Sequence, residues 1–361
     1  MIIPEILFVC LLSAQGDFEV QFARGVKALS ERNLTVAEAS LSAASLQQPS
    51  NPRVWAALAQ MYLELRKPSL ALDAAQKAEK FGTGDPVTLD NVAMFYAELG
   101  KANESDGRTP EAIQEFRQAI RLRPGEESYY FDLIQVLLRH FDFQDAARFS
   151  DLGTKKFPKS AQLALASGVA YYGLDQTDKA VDSFLATIAI DPSVEQPYVF
   201  LGRLLNRTQP EKLPLITQQF GRYQQSNPRS YMGYFLHAKG LSAQSEKPEE
   251  AEGLLRRSIA LNRNSWESHY ELGTLLAKRK AFEEAEKELR RSIELNPKDS
   301  TAHYRLCRVL FALGKNEEAE AEADIQKKAA AAERAEIGRR LATVKPIEAN
   351  ESDVEGGRQP K

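Results

Sequence analysis

Residues 266–297 read WESHYELGTLLAKRKAFEEAEKELRRSIELNP, and this stretch decides the fold. Leu272, Gly273 and Leu276 lie three and four apart, the spacing of one face of an α-helix. After a polar break, Ala285, Leu289 and Ser292 repeat that spacing, and Pro297 ends the segment, because proline lacks an N–H and cannot continue a helix. Two short amphipathic helices with a small residue in each cannot bury their apolar faces alone. They need neighbours of the same kind.

The neighbours are present at a fixed step. Ala112, Ala146 and Ala180 fall 34 residues apart, as do Pro124, Pro158 and Pro192. Ala251, Ala285 and Ala319 keep the same period, as do Ser258 with Ser292 and Leu272 with Leu306. A constant step of this length marks a solenoid of stacked supersecondary units, not one compact core. Elsewhere Trp55, Leu58, Ala59 and Tyr62 form a first-helix face, and Ala71, Ala75 and Ala78 mark its partner helix. The unit near Ala161 has Gly168, Tyr171, Ala180, Phe184 and Pro192 in corresponding places.

These offsets resemble the tetratricopeptide repeat, over residues from about 18 to 330. The resemblance implies an all-α, right-handed superhelical solenoid of nine helix pairs, starting near Asp17, Pro52, Pro86, Glu127, Ala161, Glu195, Met232, Trp266 and Ser300. The physics agrees: a small eighth residue lets paired helices approach, and a large twenty-fourth residue fills the gap. Two units depart from the pattern. Ala71 and Ala112 are 41 apart, so residues 103–109 read as an insertion of about two helical turns, and the third unit's first helix should be longer, with Gly107 and Pro110 at the turn. In the sixth, Pro210 and Pro214 fall where a helix is expected, which predicts a bend at Thr208 to Leu215. From Glu317 an Ala-, Glu-, Lys- and Arg-rich run predicts a long capping helix to about Val344, and 345–361 reads as a disordered tail.

At the other end, residues 1–16 read as a signal peptide. Ile6 to Leu12 is apolar and is followed by Ser13, Ala14, Gln15 and Gly16, with cleavage expected after Ala14 or Gly16. Bulky Phe8 and Val9 speak against lipidation of Cys10. The expectation is a periplasmic or secreted protein; the competing reading is an apolar extension packed on the first repeat of a cytoplasmic one. No later segment approaches the ~20 apolar residues of a membrane span.

Little in the composition points to chemistry. With 47 Lys and Arg against 50 Asp and Glu, the net charge is -3, which gives no footprint for nucleic acid. No phosphate-binding glycine loop occurs, two cysteines make no disulfide framework, and no cofactor is expected. His269 and His303 share one place in adjacent units, but two nitrogens without a third ligand suit packing better than zinc. The chain therefore reads as a non-enzymatic scaffold for a protein or peptide, with a structural subunit of a larger complex as the alternative.

What the resemblance implies about the site follows from the family's concave wall, lined by the second, fifth, ninth and twelfth places of each first helix. Those places hold Phe131, Gln135 and Leu138, then Leu165, Val169 and Tyr172, then Val199, Arg203 and Asn206, then Tyr270, Thr274, Tyr304, Arg308 and Phe311. Phe131, Gln135, Tyr172, Arg203, Asn206, Tyr270, Tyr304 and Arg308 are the candidate partner-binding residues, being of the types that concentrate binding energy or donate hydrogen bonds. Repeats that clamp a chaperone's C-terminal carboxylate need Lys and Asn at the fifth and ninth places. Here Ala56 with Gln60, Leu165 with Val169 and Tyr270 with Thr274 stand there, so that clamp is absent.

Overall fold

The computed structural model describes residues 3–245 and 247–343, with side chains from Asp17 to Ala332 apart from Glu246. Among the described residues every regular element is helical. Nine helix pairs follow in order: α1 (Ile3–Ser30) with α2 (Leu34–Gln47), α3 (Pro52–Glu64) with α4 (Pro68–Phe81), and α5 (Pro86–Ser105) with α6 (Thr109–Leu122). Then come α7 (Glu127–Arg139) with α8 (Phe143–Lys156), α9 (Ala161–Gly173) with α10 (Thr177–Ile190), and α11 (Gln196–Leu204) with α12 (Leu213–Ser226). The last are α13 (Tyr231–Gln244) with α14 (Pro248–Leu261), α15 (Trp266–Lys278) with α16 (Phe282–Leu295), and α17 (Ser300–Ala312) with α18 (Asn316–Thr343). The chain divides into two compact units, Met1–Arg139 with Arg148–Phe157, and His140–Ala147 with Pro158–Lys361.

Helix starts are written locally. Asn51, Asp85, Ser160, Ser265 and Asp299 precede first helices, and each accepts a hydrogen bond from a first-turn backbone N–H. Pro52, Pro68, Pro86, Pro110 and Pro248 occupy first-turn positions, where a missing N–H costs nothing. Between first and second helices the chain turns through a left-handed residue: Arg32, Arg66, Gly107, Phe141, Asp175, Lys280 or Gly314.

Within pairs, the close approach has one recurring form. A methyl group built on Gly25 would lie 2.6 Å from Leu41, on Gly100 3.1 Å from Phe116, and on Gly273 2.7 Å from Leu289. The larger residue always comes sixteen places after the glycine, and both are buried. This pairing refines the third unit. Its first helix, α5, has 20 residues where α3 has 13, as the 41-residue step predicts, and Gly107 turns the chain at φ 76. Because Gly100 meets Phe116, however, the register is already restored at Gly100. The extra two turns lie N-terminal to it and not at 103–109.

The sixth pair breaks the rule. Helix α11 has only nine residues and gives way to 3-10 turns at Leu205–Arg207 and Pro210–Lys212. Gly202, in the eighth place, meets Leu236 of α13 in place of a residue of its own partner. Helix α12 packs on α13 and hardly touches α11, the Tyr198–Tyr223 ring stack at 4.4 Å being one of the links between them. Pro210 and Pro214 explain the break, since each is tolerated only in a first turn, so the 3-10 turn starts at Pro210 and α12 starts late, with Pro214 in its first turn. The seventh unit begins at Tyr231, one residue before the expected Met232; its additional residue is absorbed where Ser245 and Lys247 are left-handed.

At the C-terminus α18 is continuous from Asn316 to Thr343. The expected tail at 345–361 lies outside the described residues, as do the side chains of 3–16, where the signal segment was expected. The backbone of 3–16 belongs to α1.

Candidate functional site

The candidate residues do not form a single set. Phe131 and Gln135 stand half-buried on α7 in the first compact unit, whereas Tyr172, Arg203, Asn206, Tyr270, Tyr304 and Arg308 belong to the second. Within the second, two groups assemble. Tyr172 meets Phe200 edge-on at 5.2 Å, Phe184 stacks beneath Phe200 at 4.9 Å, and the Arg203 guanidinium lies 5.8 Å from the same ring. In α17, the Arg308 guanidinium stands 5.9 Å from the Tyr304 ring, with Tyr304 and Phe311 about half exposed. Tyr270 is half-buried on α15. Asn206 is exposed, but in the 3-10 turn after α11 and not on a helix. Thr274 is buried instead of lining an open wall.

Phe200 was missed, and the omission is systematic. It occupies the sixth place of its first helix, a place the family pattern used above leaves out. Sixth-place residues meet the preceding repeat's first helix: Asp132 pairs with Lys101 at 3.5 Å, and Glu271 with Lys239 at 3.7 Å. Lys239 is a ninth-place residue, and Lys101 is too once the register restored at Gly100 is counted. The ninth-to-sixth joint is thus a recurring contact between successive first helices. Burial pushes the Asp132 and Glu271 carboxyls up, and the neighbouring lysines oppose that shift.

The shared histidine place proves to be another joint. His269 bonds Glu288 through Nδ1 at 2.6 Å and the Arg263 carbonyl through Nε2 at 3.3 Å. His303 repeats this with Glu322 and, at 3.0 Å, with the Pro297 carbonyl. Trp55, Tyr198 and Tyr234, also in fourth places, donate to the carbonyls of Pro49, Pro192 and Pro228 at 2.7, 3.0 and 3.3 Å. In each case the acceptor lies six residues back, beyond the end of the preceding second helix. Among the described residues no group of three metal-ligating side chains occurs.

Second helices carry an ion-pair ladder. Arg256 bridges Glu252 and Glu284, each at 2.9 Å, and Arg290 bridges Glu286 at 2.9 Å and Glu318 at 2.5 Å. Isolated exposed pairs of this kind contribute little, roughly 0–1 kcal/mol. Burial raises the Cys307 thiol, keeping it protonated and a poor nucleophile.

Models of the tetratricopeptide repeat match residues 22–86, 238–300 and 282–336, and a second model of the same repeat matches 93–126. Together they cover more than half of the sequence, and the chain belongs to the tetratricopeptide repeat family. Among solved structures it is similar to yeast Tom70, at 15% identity over 92% of this chain and 91% of that one, with a TM-score of 0.41. It is also similar to YrrB, described as a tetratricopeptide repeat protein with an unusual peptide-binding site, at 17% identity over 59% and 91%, TM-score 0.35. A third is the C-terminal part of a repeat-containing protein from Cytophaga hutchinsonii, at 15% identity over 79% and 99%, TM-score 0.41. Among curated proteins, none matches the sequence. No helix of the described residues is long and apolar enough to cross a membrane.

Proposed function

We propose that this chain is a non-enzymatic scaffold that holds protein or peptide segments on the faces of its first helices. One observation carries the reading: tyrosine and phenylalanine rings at the surface lie beside arginines, Tyr172 and Arg203 around Phe200, and Tyr304 with Arg308 on α17, where Phe311 is also about half exposed. Aromatic and arginine side chains are the ones that dominate binding energy at interfaces. Helices packed on both sides hold them in place before a partner arrives, so little ordering entropy is lost on binding.

Photo-crosslinking tests this. A photoreactive amino acid at Tyr172 or Tyr304 should capture a partner in the native host, and one at Arg257 on α14 should not. Changing Tyr172, Arg203 and Arg308 together to Ala should weaken that partner's binding; unchanged affinity rejects the reading.

The apolar run Ile6–Leu12 followed by small residues supports an exported protein, a periplasmic or secreted scaffold for envelope assembly or secretion. Sequencing the mature N-terminus decides it: Gln15 or Asp17 means export, and Met1 means a cytoplasmic adaptor.

A further inference from the structure

In the second compact unit a cleft of about 420 Å³ is lined by residues of α15, α17 and the start of α16. Lys278, Lys280, Arg305 and Arg308 face it, with Ala277 and Val309 giving it apolar wall. None of these four cations forms an ion pair or a side-chain hydrogen bond among the described residues. Neighbouring cations differ, Arg256 and Arg290 on second helices and Lys315 just before α18 all being paired to glutamates.

The joint at this cleft is also incomplete. Where first helices meet through their ninth and sixth places, Lys101 finds Asp132 and Lys239 finds Glu271. In the next such joint the places hold Thr274 and Arg305, a hydroxyl and a cation with no carboxylate between them. Thr274 is 8% exposed, and its Oγ1 has no hydrogen-bond partner. A helical threonine can return its hydroxyl to the carbonyl one turn back, and this one does not. Glu271 offsets Lys278 and Arg305 in part, but it lies against Lys239 and burial raises its carboxyl.

We propose that this cleft binds an acidic peptide segment, whose carboxylates supply the negative charge that Asp132 and Glu271 bring to the two lysine-bearing joints. The cations come from two helices and from the turn at Lys280, so they suit carboxylates spread along a peptide better than a single point charge. Thr274 Oγ1 donates to one of those carboxylates. The cluster differs from the carboxylate-clamp pattern excluded above, since it leaves Tyr270 and Thr274 at the fifth and ninth places. The proposal rests on the reading of the first helices as binding faces and adds the charge of the ligand.

Fluorescence anisotropy with the full chain tests it, using a labelled dodecapeptide with four glutamates, the same peptide with glutamines, and one with a single phosphoserine. The glutamate peptide should bind and the glutamine peptide should not, with affinity falling steeply as salt is added. Lys278→Gln with Arg305→Gln should weaken binding about tenfold or more. Thr274→Val should weaken it severalfold while leaving the melting temperature unchanged or higher, an outcome that a purely structural threonine would not give. Equal binding of the glutamate and glutamine peptides, or wild-type affinity in the double variant, overturns the proposal. Tighter binding of the phosphoserine peptide overturns the spread-carboxylate reading. If no acidic peptide binds while crosslinks at Tyr172 and Tyr304 persist, the cleft proposal alone falls and the scaffold reading stands.

Discussion

A methyl group built on Gly168 would stand 2.5 Å from Cε1 of Phe184, closer than two carbons can approach. That contact repeats the arrangement of Gly25 with Leu41, Gly100 with Phe116 and Gly273 with Leu289. Absence of a side chain on one helix is what lets the other helix's large residue lie flat. Substitution of Gly168 by Ala should therefore destabilise the chain by about 1–3 kcal/mol through overpacking. Adding Phe184→Leu should recover part of that loss. Urea denaturation of the two single variants and the double variant gives the coupling, and strict additivity would mean that the two residues do not share the contact.

Glu115 on α6 is buried, and burial pushes its carboxyl up from 4.5 to about 7. Between those values the folded chain holds a proton that the unfolded chain has released, so stability falls as pH rises through this window. Glu115→Gln should leave stability nearly unchanged at pH 4 and raise it at pH 8, by on the order of 1–3 kcal/mol. Thermal melts of both proteins across pH 4–8 check this. Parallel curves would show that Glu115 is not the group responsible.

Much of the architecture was legible in the sequence because it is set by local, periodic signals. Small residues at fixed places, prolines beyond helix ends and capping residues before helix starts each act within one repeat. The register of the third unit was legible only as a length. Nothing in residues 86–109 alone says which turns are extra, and the Gly100–Phe116 contact does. The change of partner at the sixth unit was half visible: Pro210 and Pro214 predict a disturbed helix, but not that Gly202 would meet Leu236. The site was less legible, because exposure depends on the neighbouring repeat. Thr274 and Tyr304 hold comparable wall places, yet one is buried and the other about half exposed. Phe200 stayed hidden because its sixth place looks inward from a single helix, and its contact with Tyr172 exists only once two first helices stand side by side.

His269 and His303 are saturated by one carboxylate and one carbonyl each. Chelators should accordingly leave the melting temperature unchanged, whereas His303→Ala should lower stability by roughly 1–3 kcal/mol by leaving buried polar groups unmatched. A shift of several degrees on adding a chelator would reassign the pair to metal binding.

Arg66 turns the chain between α3 and α4 at φ 55, a conformation that costs a side-chain-bearing residue roughly 1–2 kcal/mol. Gly107 and Gly314 hold the same turn in other units without that cost. Arg66→Gly should raise stability by about 0.5–1 kcal/mol, the remainder being offset by the greater freedom of glycine in the unfolded chain. A lowered denaturation midpoint would show that the Arg66 side chain contributes more than its backbone strain removes.

The fourth-place hydrogen bond has a consequence for engineering shorter or longer versions. His303 and His269 close on carbonyls at matching positions, so a chain lacking residues 264–297 would bring His303 to the Arg263 carbonyl with the same wiring. Glu318 would then arrive where Glu284 stood beside Arg256, and Lys315 would meet Glu252 as it now meets Glu286. A block can be lifted out, or a copy spliced in, with these latches intact, although a shortened chain would set Lys239 against Arg305 where Glu271 now stands and would need Arg305→Glu to restore that joint; the molecule's length is adjustable in units that its own latches define.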